Sequence, residues 1–120
     1  MLLTPPDRSD VLAASDRISG SIVRTPMLYR EIGGRTVWFK AEVMQRTGSF
    51  KIRGALNFVA SLDPQVRGRG VVAYSSGNHA QGVASAAAEF GIPATIVMPS
   101  DAPSIKLRNT RHLGATVVEY

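Results

Sequence analysis

A lysine stands in a polar, glycine-containing segment just before an apolar helical pattern. The segment reads Gln45-Arg46-Thr47-Gly48-Ser49-Phe50-Lys51-Ile52-Arg53-Gly54-Ala55. Backbone N–H groups at a helix start are unpaired and favour negative charge, so a phosphate or carboxylate can bind there. A lysine held nearby becomes a nucleophile towards aldehydes if burial shifts it to the neutral amine. Lys51 is therefore our candidate, since Lys40 and Lys106 lie in no glycine-serine loop, although the pattern alone is more typical of a Ser-capped helix with a solvated lysine.

A second polar turn follows an apolar run at residues 70–74. It begins the string Ser75-Ser76-Gly77-Asn78-His79-Ala80-Gln81-Gly82-Val83-Ala84. Two hydroxyls, an amide and free backbone N–H groups form a suitable cradle for a carboxylate. The alternative is an ordinary turn between a strand and a helix, in which Asn78 or a serine caps the helix.

The elements that must position these residues follow from the spacing of apolar side chains. A first helix is predicted over residues 9–18, with Ser9 as a possible N-cap. A strand is predicted over residues 36–40 after a turn at Gly33-Gly34. From Ser49 the apolar residues fall on one helical face, and Asp63-Pro64 ends that helix.

The second half of the chain alternates strands and helices. Strands are predicted over residues 70–74, 94–98 and 115–119, and helices over residues 79–90 and 103–113, with Pro103 in the first turn of the last helix. This β-α-β-α-β order indicates an α/β fold with a parallel sheet, flanking helices and right-handed crossovers. Such sheets bind ligands at the carboxyl ends of their strands, which makes the 75–78 turn a site candidate on topology alone.

Composition narrows the function classes. The 120 residues include 44% apolar residues, enough for one modest core. The net charge of +5 comes from dispersed arginines and lysines, so no basic stripe favours nucleic-acid binding. The chain has no cysteine and two histidines, so we expect no structural metal. No apolar run is long enough to span a bilayer and the first residues lack a signal pattern, so we expect a cytoplasmic protein.

The two polar strings together resemble one enzyme family. Gly48 to Ala55 fits the cofactor-lysine motif of fold-type II pyridoxal-phosphate (PLP) enzymes, in particular threonine dehydratases and serine racemases, and the string from Ser75 resembles their substrate-carboxylate and cofactor loop. The resemblance extends over about residues 18–120. It departs at Ala41, Val43 and Met44, where many relatives carry Leu or Asn, and none of these is a chemical position. The sequence also lacks the family's glycine-rich phosphate loop, the residue facing the pyridine nitrogen and the carboxylates of the divalent-cation site.

The resemblance implies a role for each site residue. Lys51 would bear PLP and act as the base, Phe50 would pack beside the cofactor, and Asn78 would hydrogen-bond its ring hydroxyl. The substrate carboxylate would be held by Ser75, Ser76, Gly77 and Asn78. Ser76 would also occupy the place of the second base in racemases. By contrast, His79 and His112 are expected to be structural.

The resemblance also implies a tryptophan-synthase-β-like PLP fold, present only in part. Residues 1–60 would be an N-terminal segment with the PLP lysine, and residues 61–120 part of the smaller α/β domain. The expected activity is PLP-dependent elimination of water and then ammonia from L-threonine to give 2-oxobutanoate, by a homo-oligomer with an amino-acid substrate. Two alternatives stay open: a serine racemase acting on L-serine, and a truncated, catalytically incompetent remnant or scaffold.

Overall fold

The computed structural model describes residues 4–120. Its elements are α1 (Arg8–Ile18), β1 (Met27–Ile32), β2 (Arg35–Lys40), α2 (Lys51–Ser61), α3 (Pro64–Arg67), β3 (Val71–Tyr74), α4 (Asn78–Glu89), β4 (Ala94–Met98), α5 (Ser104–His112) and β5 (Thr116–Glu119), with a 3-10 turn at Glu42–Met44. None of the helices in this part of the chain is long and apolar enough to cross a membrane.

Helix α1 is capped by Asp7, so the prediction of Ser9 as N-cap is wrong. The Asp7 carboxylate accepts hydrogen bonds from the backbone N–H groups of Ser9 and Asp10. The Asp10 carboxylate accepts the N–H of Asp7 in return at 2.9 Å, which completes a capping box. The Ser9 hydroxyl itself donates to Asp7, so it serves the cap without being it.

The predicted strand at residues 36–40 is confirmed as part of β2, but its partner β1 was not predicted. The two strands form an antiparallel hairpin with Ile32 opposite Arg35. Gly33 and Gly34 have φ values of 58° and 73°, the left-handed backbone that a two-residue hairpin turn requires. The residues of β1 show no regular alternation of polar and apolar side chains, so they did not predict a strand. The Gly-Gly pair, which is typical of a hairpin turn, was the signal that could have indicated it.

Strands β3, β4 and β5 form the predicted parallel sheet in that order. Helices α4 and α5 make the two crossovers, which confirms the β-α-β-α-β prediction. Two details differ. Pro103 is the N-cap residue of α5 instead of lying in its first turn. The Asp63-Pro64 pair does end α2, but the Asp63 carboxylate then caps the short helix α3 through the Gln65 N–H.

Helix α4 lies at the centre of the core. Eight consecutive residues from Ala80 to Ala87 are buried, because α2, α5 and the sheet all pack against this helix. Most of these side chains are small, which lets the neighbouring backbones approach closely. The core also takes Ile52, Leu56 and Val59 from α2. The residues before and after position 60 therefore share one core, and the domain boundary near that position stays a prediction.

One face of the parallel sheet is covered by no helix within residues 4–120. Ile96 and Met98 of β4 are fully buried on the side of the helices, whereas Val72, Tyr74 and Val118 alternate onto the opposite side and are exposed. Tyr74 and Tyr120 stack there with ring centroids 5.7 Å apart.

Candidate functional site

The lysine loop turns sharply at Gly48 before α2 begins. Gly48 has a φ of 71°, and its N–H donates to the Gln45 carbonyl at 2.7 Å. Lys51 is the first residue of α2, with its N–H 3.4 Å from the buried hydroxyl of Ser49. The Lys51 side chain is exposed, with Nζ 5.0 Å from the centroid of the Phe50 ring. The position of the lysine at a helix start is as predicted, but the described residues do not bury it.

The two arginines of the lysine segment hold it in place through ion pairs. Arg53 donates to both carboxylate oxygens of Glu42 at 2.8 Å, a bidentate pair beneath the start of α2. This hydrogen bonding, supported by Thr25, overcomes the effect of burial and lowers the pKa of Glu42 to about 2. Arg46 pairs with Glu89 near the end of α4, which ties the loop to the central helix.

A buried glutamine completes the support of the loop. The Gln45 side chain accepts hydrogen bonds from the N–H groups of Val23 and Arg46 and donates to the Val23 carbonyl at 2.8 Å. Sequence reasoning missed Glu42, Gln45 and Glu89, because a polar residue that bonds distant backbone leaves no periodic signal. Arg46 and Arg53 were quoted only as part of the motif, and the structure gives them a scaffolding role.

The turn at residues 75–78, which we call the substrate turn after its predicted role, runs from the end of β3 into the first residue of α4, as the topology predicted. The Ser75 hydroxyl accepts the Gly77 N–H at 3.2 Å. Gly77 is the N-cap residue and no side chain caps α4, so the alternative of a cap by Asn78 or a serine is not what forms. No hydrogen bond among residues 4–120 uses the N–H of Asn78 or of His79. Both N–H groups lie in the first turn of α4, a helix of twelve residues. The turn can therefore receive an anion.

Asn78 has a partner that sequence reasoning did not foresee. Lys106 of α5 donates from Nζ to the Asn78 Oδ1 atom at 2.5 Å. Lys106 had been considered only as a rival to Lys51. Its actual position beside the substrate turn depends on how α5 packs against α4, which no local pattern reveals.

The lysine and the start of α4 meet at one cleft. A cleft of about 280 Å³ is lined by side chains from both helices: Phe50, Lys51, Arg53, Gly54, Ala55 and His79. Ser75, Ser76 and Gly77 lie outside this lining, on the turn that precedes His79. His79 is exposed at the cleft and His112 is exposed at the end of α5. Lys51 therefore lies beside the start of α4, the helix that follows the substrate turn. The predicted residues Ser75, Ser76, Gly77 and Asn78 do not line the same cleft.

A parallel sheet with a lysine and an unpaired helix start beside one cleft is typical of α/β folds that bind ligands at the ends of their strands. The family model for "Pyridoxal-phosphate dependent enzyme" matches residues 18–120. The chain therefore belongs to the pyridoxal-phosphate dependent enzyme family, whose members use PLP.

Similar proteins agree with this family and with an α/β fold-type II architecture. The chain is 53% identical to an L-threo-3-hydroxyaspartate ammonia-lyase of a Pseudomonas species, over 92% of this chain and 36% of that protein. It is 51% identical to an L-threonine ammonia-lyase of Thermotoga maritima, over 91% of this chain and 28% of that protein. The structure of maize serine racemase matches with a TM-score of 0.90 and 40% identity, over 94% of this chain and 36% of that one. The chain thus spans about a third of the length of these relatives.

The residues present fit PLP. No carboxylate within residues 4–120 pairs with Lys51, so its amine is available to the cofactor aldehyde. Phe50 offers an aromatic surface beside that amine, and Asn78 offers an amide at the start of α4. Gly82 makes room for this arrangement, since a Cβ there would lie 3.1 Å from the Lys51 carbonyl carbon. The described residues can hold the aldehyde end and the ring hydroxyl of PLP.

Proposed function

We propose that this protein is a PLP-dependent ammonia-lyase acting on a β-hydroxy amino acid, with L-threonine as the first candidate substrate and 2-oxobutanoate and ammonia as products. The observation that carries the proposal is the shared cleft of Lys51 and the start of α4. An amine and an anion-binding turn are the two groups that an amino-acid substrate needs, one for its α-proton and one for its carboxylate.

Lys51 has two tasks in this proposal. Its Nζ would hold PLP at the aldehyde carbon, and the amine, once free, would take the α-proton of the substrate. The bound cofactor supplies an electron sink for the resulting negative charge. The net change would be loss of the α-proton and the β-hydroxyl as water, and hydrolysis of the released enamine would give the 2-oxo acid and ammonia. Lys51 forms no ion pair within residues 4–120, which supports both tasks, because an amine engaged by a carboxylate is less available to an aldehyde or to a substrate proton.

The residues around Lys51 orient the reactants. Phe50 would pack beside the PLP ring, and Asn78 would donate to the ring oxygen. The substrate carboxylate is held by the turn residues Ser75, Ser76, Gly77 and Asn78. Orientation of this kind is worth several orders of magnitude in rate, because the α-proton must lie within reach of the lysine.

Serine racemization is the second candidate function. The Ser76 side chain is exposed on the turn, and no hydrogen bond within residues 4–120 engages its hydroxyl. A free hydroxyl on the face of the substrate opposite Lys51 can return a proton there, which inverts the α-carbon. The similarity to maize serine racemase supports keeping this activity beside elimination.

The experiment uses the protein in its full natural length. The PLP-loaded protein is incubated separately with L-threonine, L-serine and L-threo-3-hydroxyaspartate, the last because of the Pseudomonas relative's name. Oxo acid and D-serine are both measured. We expect 2-oxobutanoate from L-threonine, and D-serine in excess of pyruvate would favour the racemase instead. Absence of a lysine-bound PLP absorption band would support a non-catalytic scaffold and refute the proposal.

The anchoring lysine is tested separately. Borohydride reduction of the loaded protein followed by peptide mapping should label Lys51. Labelling of Lys40 or Lys106 would refute its role. Lys51→Ala should abolish elimination, and Lys51→Arg, which keeps the charge but cannot bond the aldehyde in the same way, should abolish it as well. Lys40→Arg is the matched control, because Lys40 does not line the cleft and its side chain contacts the Thr25 carbonyl and Glu42.

The proposal also covers assembly, location and domains. We expect a cytoplasmic homo-oligomer that acts on a small amino acid, with the chain up to about residue 60 carrying the PLP lysine and residues 61–120 contributing to the smaller α/β domain. Sedimentation of the full-length protein with and without PLP measures the assembly.

A further inference from the structure

Two polar contacts join α4 and α5 one helical turn apart. Lys106 Nζ donates to Asn78 Oδ1 at 2.5 Å, and Asn109 Nδ2 lies 3.4 Å from Gln81 Oε1. The partners are three residues apart on each helix, so each pair lies on one helical face. The two contacts run in the same direction along both helices, as expected for parallel crossovers. Helix α5 therefore lies with a polar edge along α4, and this edge begins at the substrate turn.

The contact at Lys106 fixes the orientation of an amide. An asparagine side chain presents an acceptor oxygen on one side and a donor nitrogen on the other, whereas a lysine ammonium has only donors. Lys106 can therefore bond only Oδ1, and the Nδ2 of Asn78 must face away from α5. No hydrogen bond within the described residues uses that Nδ2 atom, which leaves its two N–H groups available.

Lys106 is itself well placed for this task. It lies in the first turn of α5, where its N–H donates to the Pro103 carbonyl at 2.7 Å. Proline has a restricted φ, so the backbone at the start of α5, just before Lys106, is stiff. The ammonium has no carboxylate partner among residues 4–120, and Asn78 is its one side-chain hydrogen-bond partner there.

We propose that Lys106 is a positioning residue, which holds the Asn78 amide so that Nδ2 is presented as a donor to the ring oxygen of PLP. The inference rests on the proposed function, in which Asn78 bonds that oxygen. Without Lys106 the amide is free to turn by half a rotation. Its oxygen would then face the ring oxygen, and two acceptors cannot form a hydrogen bond.

The test uses the full-length protein and three variants. Lys106→Met removes the donor but keeps an unbranched side chain, and Lys106→Arg keeps a donor. Arg108→Met is the control, because Arg108 is exposed on the same helix and makes no hydrogen bond or ion pair within residues 4–120. The readouts are the PLP dissociation constant and the wavelength of the visible absorption band. We expect Lys106→Met to weaken PLP binding about tenfold, the equivalent of one hydrogen bond, and to shift the band.

Lys106→Arg and Arg108→Met should bind PLP within about twofold of the wild-type protein with an unshifted band. If Lys106→Met also leaves both readouts unchanged while wild-type protein binds PLP at Lys51, the positioning role is refuted and the proposed function stands. If wild-type protein takes up no PLP, the proposed function fails and this inference falls with it.

A double-mutant cycle tests whether Lys106 acts through Asn78. In an Asn78→Ala background, Lys106→Met should change PLP affinity by less than about twofold, because there is no amide left to orient. If the double variant loses PLP affinity by the product of the two single-variant factors, the inference is overturned, since Lys106 would then contact the ligand by itself. A lower unfolding temperature of the apo Lys106→Met protein, together with an unshifted band in the PLP-loaded variant, would also overturn it in favour of a structural role.

Discussion

Gly82 of α4 lies directly against the backbone of Lys51. A Cβ at position 82 would come within 3.1 Å of the Lys51 carbonyl carbon and 3.2 Å of its oxygen. Glycine at this position therefore sets how closely the central helix approaches the first turn of α2. The relationship links the two polar strings of the sequence more directly than any side-chain contact between them.

Gly82→Ala should push α2 away from α4 and displace Lys51. Overpacking of this kind costs about 1–3 kcal/mol of stability. We expect a lower unfolding temperature together with weaker PLP uptake at Lys51, measured by calorimetry and by the visible absorption band. Gly54→Ala is the matched control: its Cβ would meet nothing within 4 Å, so that variant should be stabilised by about 0.5–1 kcal/mol through helix propensity. Equal stability of the two variants would show that the close approach is unimportant.

Glu42 should make stability depend on pH at the acid end. Its pKa is lowered from the usual 4.5 to about 2, chiefly by hydrogen bonding to Arg53. A depressed pKa means that the folded state favours the charged form, so this stabilisation is complete above pH about 4.5 and is lost as pH falls towards about 2. Acid unfolding followed by circular dichroism should detect the loss.

Glu42→Gln tests the same ion pair at neutral pH. The substitution should destabilise the protein by about 1–3 kcal/mol, because the Arg53 guanidinium loses its charged partner, and it should flatten the acid limb of the stability curve. Glu31→Gln, at an exposed carboxylate of the hairpin, should change stability by less than about 0.5 kcal/mol. An unchanged acid limb in Glu42→Gln would mean that other groups control acid unfolding.

Much of the fold could be predicted because its signals are local. Apolar runs of strand length, an alanine-rich helix and glycine stops gave the three parallel strands and the helices α2, α4 and α5 within a few residues. Strand β1 was not predicted, because its side chains are all exposed and its polar and apolar residues do not alternate. The cap of α1 was misplaced by two residues because serine and aspartate are both good N-caps.

The site divides in the same way. Residue type and position at helix starts made Lys51 and the turn from Ser75 candidates, and the family resemblance implied their roles, which stay predictions. The partners that hold them were not found, because Glu42, Glu89 and Lys106 reach the site only through tertiary packing. Ion pairs across 11 and 43 positions and a hydrogen bond across 28 positions leave no periodic trace in a single sequence.

Ser76 and Asn78 should have separable roles. Only racemization needs a proton delivered from the face opposite Lys51, so Ser76→Ala should reduce D-serine formation more than oxo-acid formation. Asn78→Ala should instead weaken PLP positioning and shift the visible absorption band. Chiral chromatography of both products from L-serine measures the first effect. Equal losses of the two activities in Ser76→Ala would favour simple carboxylate binding.

The 120-residue chain expressed alone should turn over L-threonine little faster than free PLP. It holds Lys51 and the substrate turn, but its sequence has no glycine-rich phosphate loop to fix the other end of the cofactor. A misplacement of about 1 Å can cost on the order of a hundredfold in rate, so a cofactor tethered at one end should react poorly. The measurement is 2-oxobutanoate formation against a free-PLP control. Turnover equal to that of a full-length ammonia-lyase would show that these residues complete the site.

The same chain should self-associate through the bare face of its sheet. Val72 is 77% exposed and lies with Tyr74, Val118 and Tyr120 on the side that no helix covers. Exposed apolar surface of this kind on an open parallel sheet favours association, because it removes the surface from water. Val72→Lys places a charge on that face and should shift the chain towards monomer in sedimentation velocity experiments. Val66→Lys is the matched control, since Val66 is 49% exposed on α3, outside the sheet. If both lysine variants reduce association equally, added net charge is the cause and the sheet face has no special part in it.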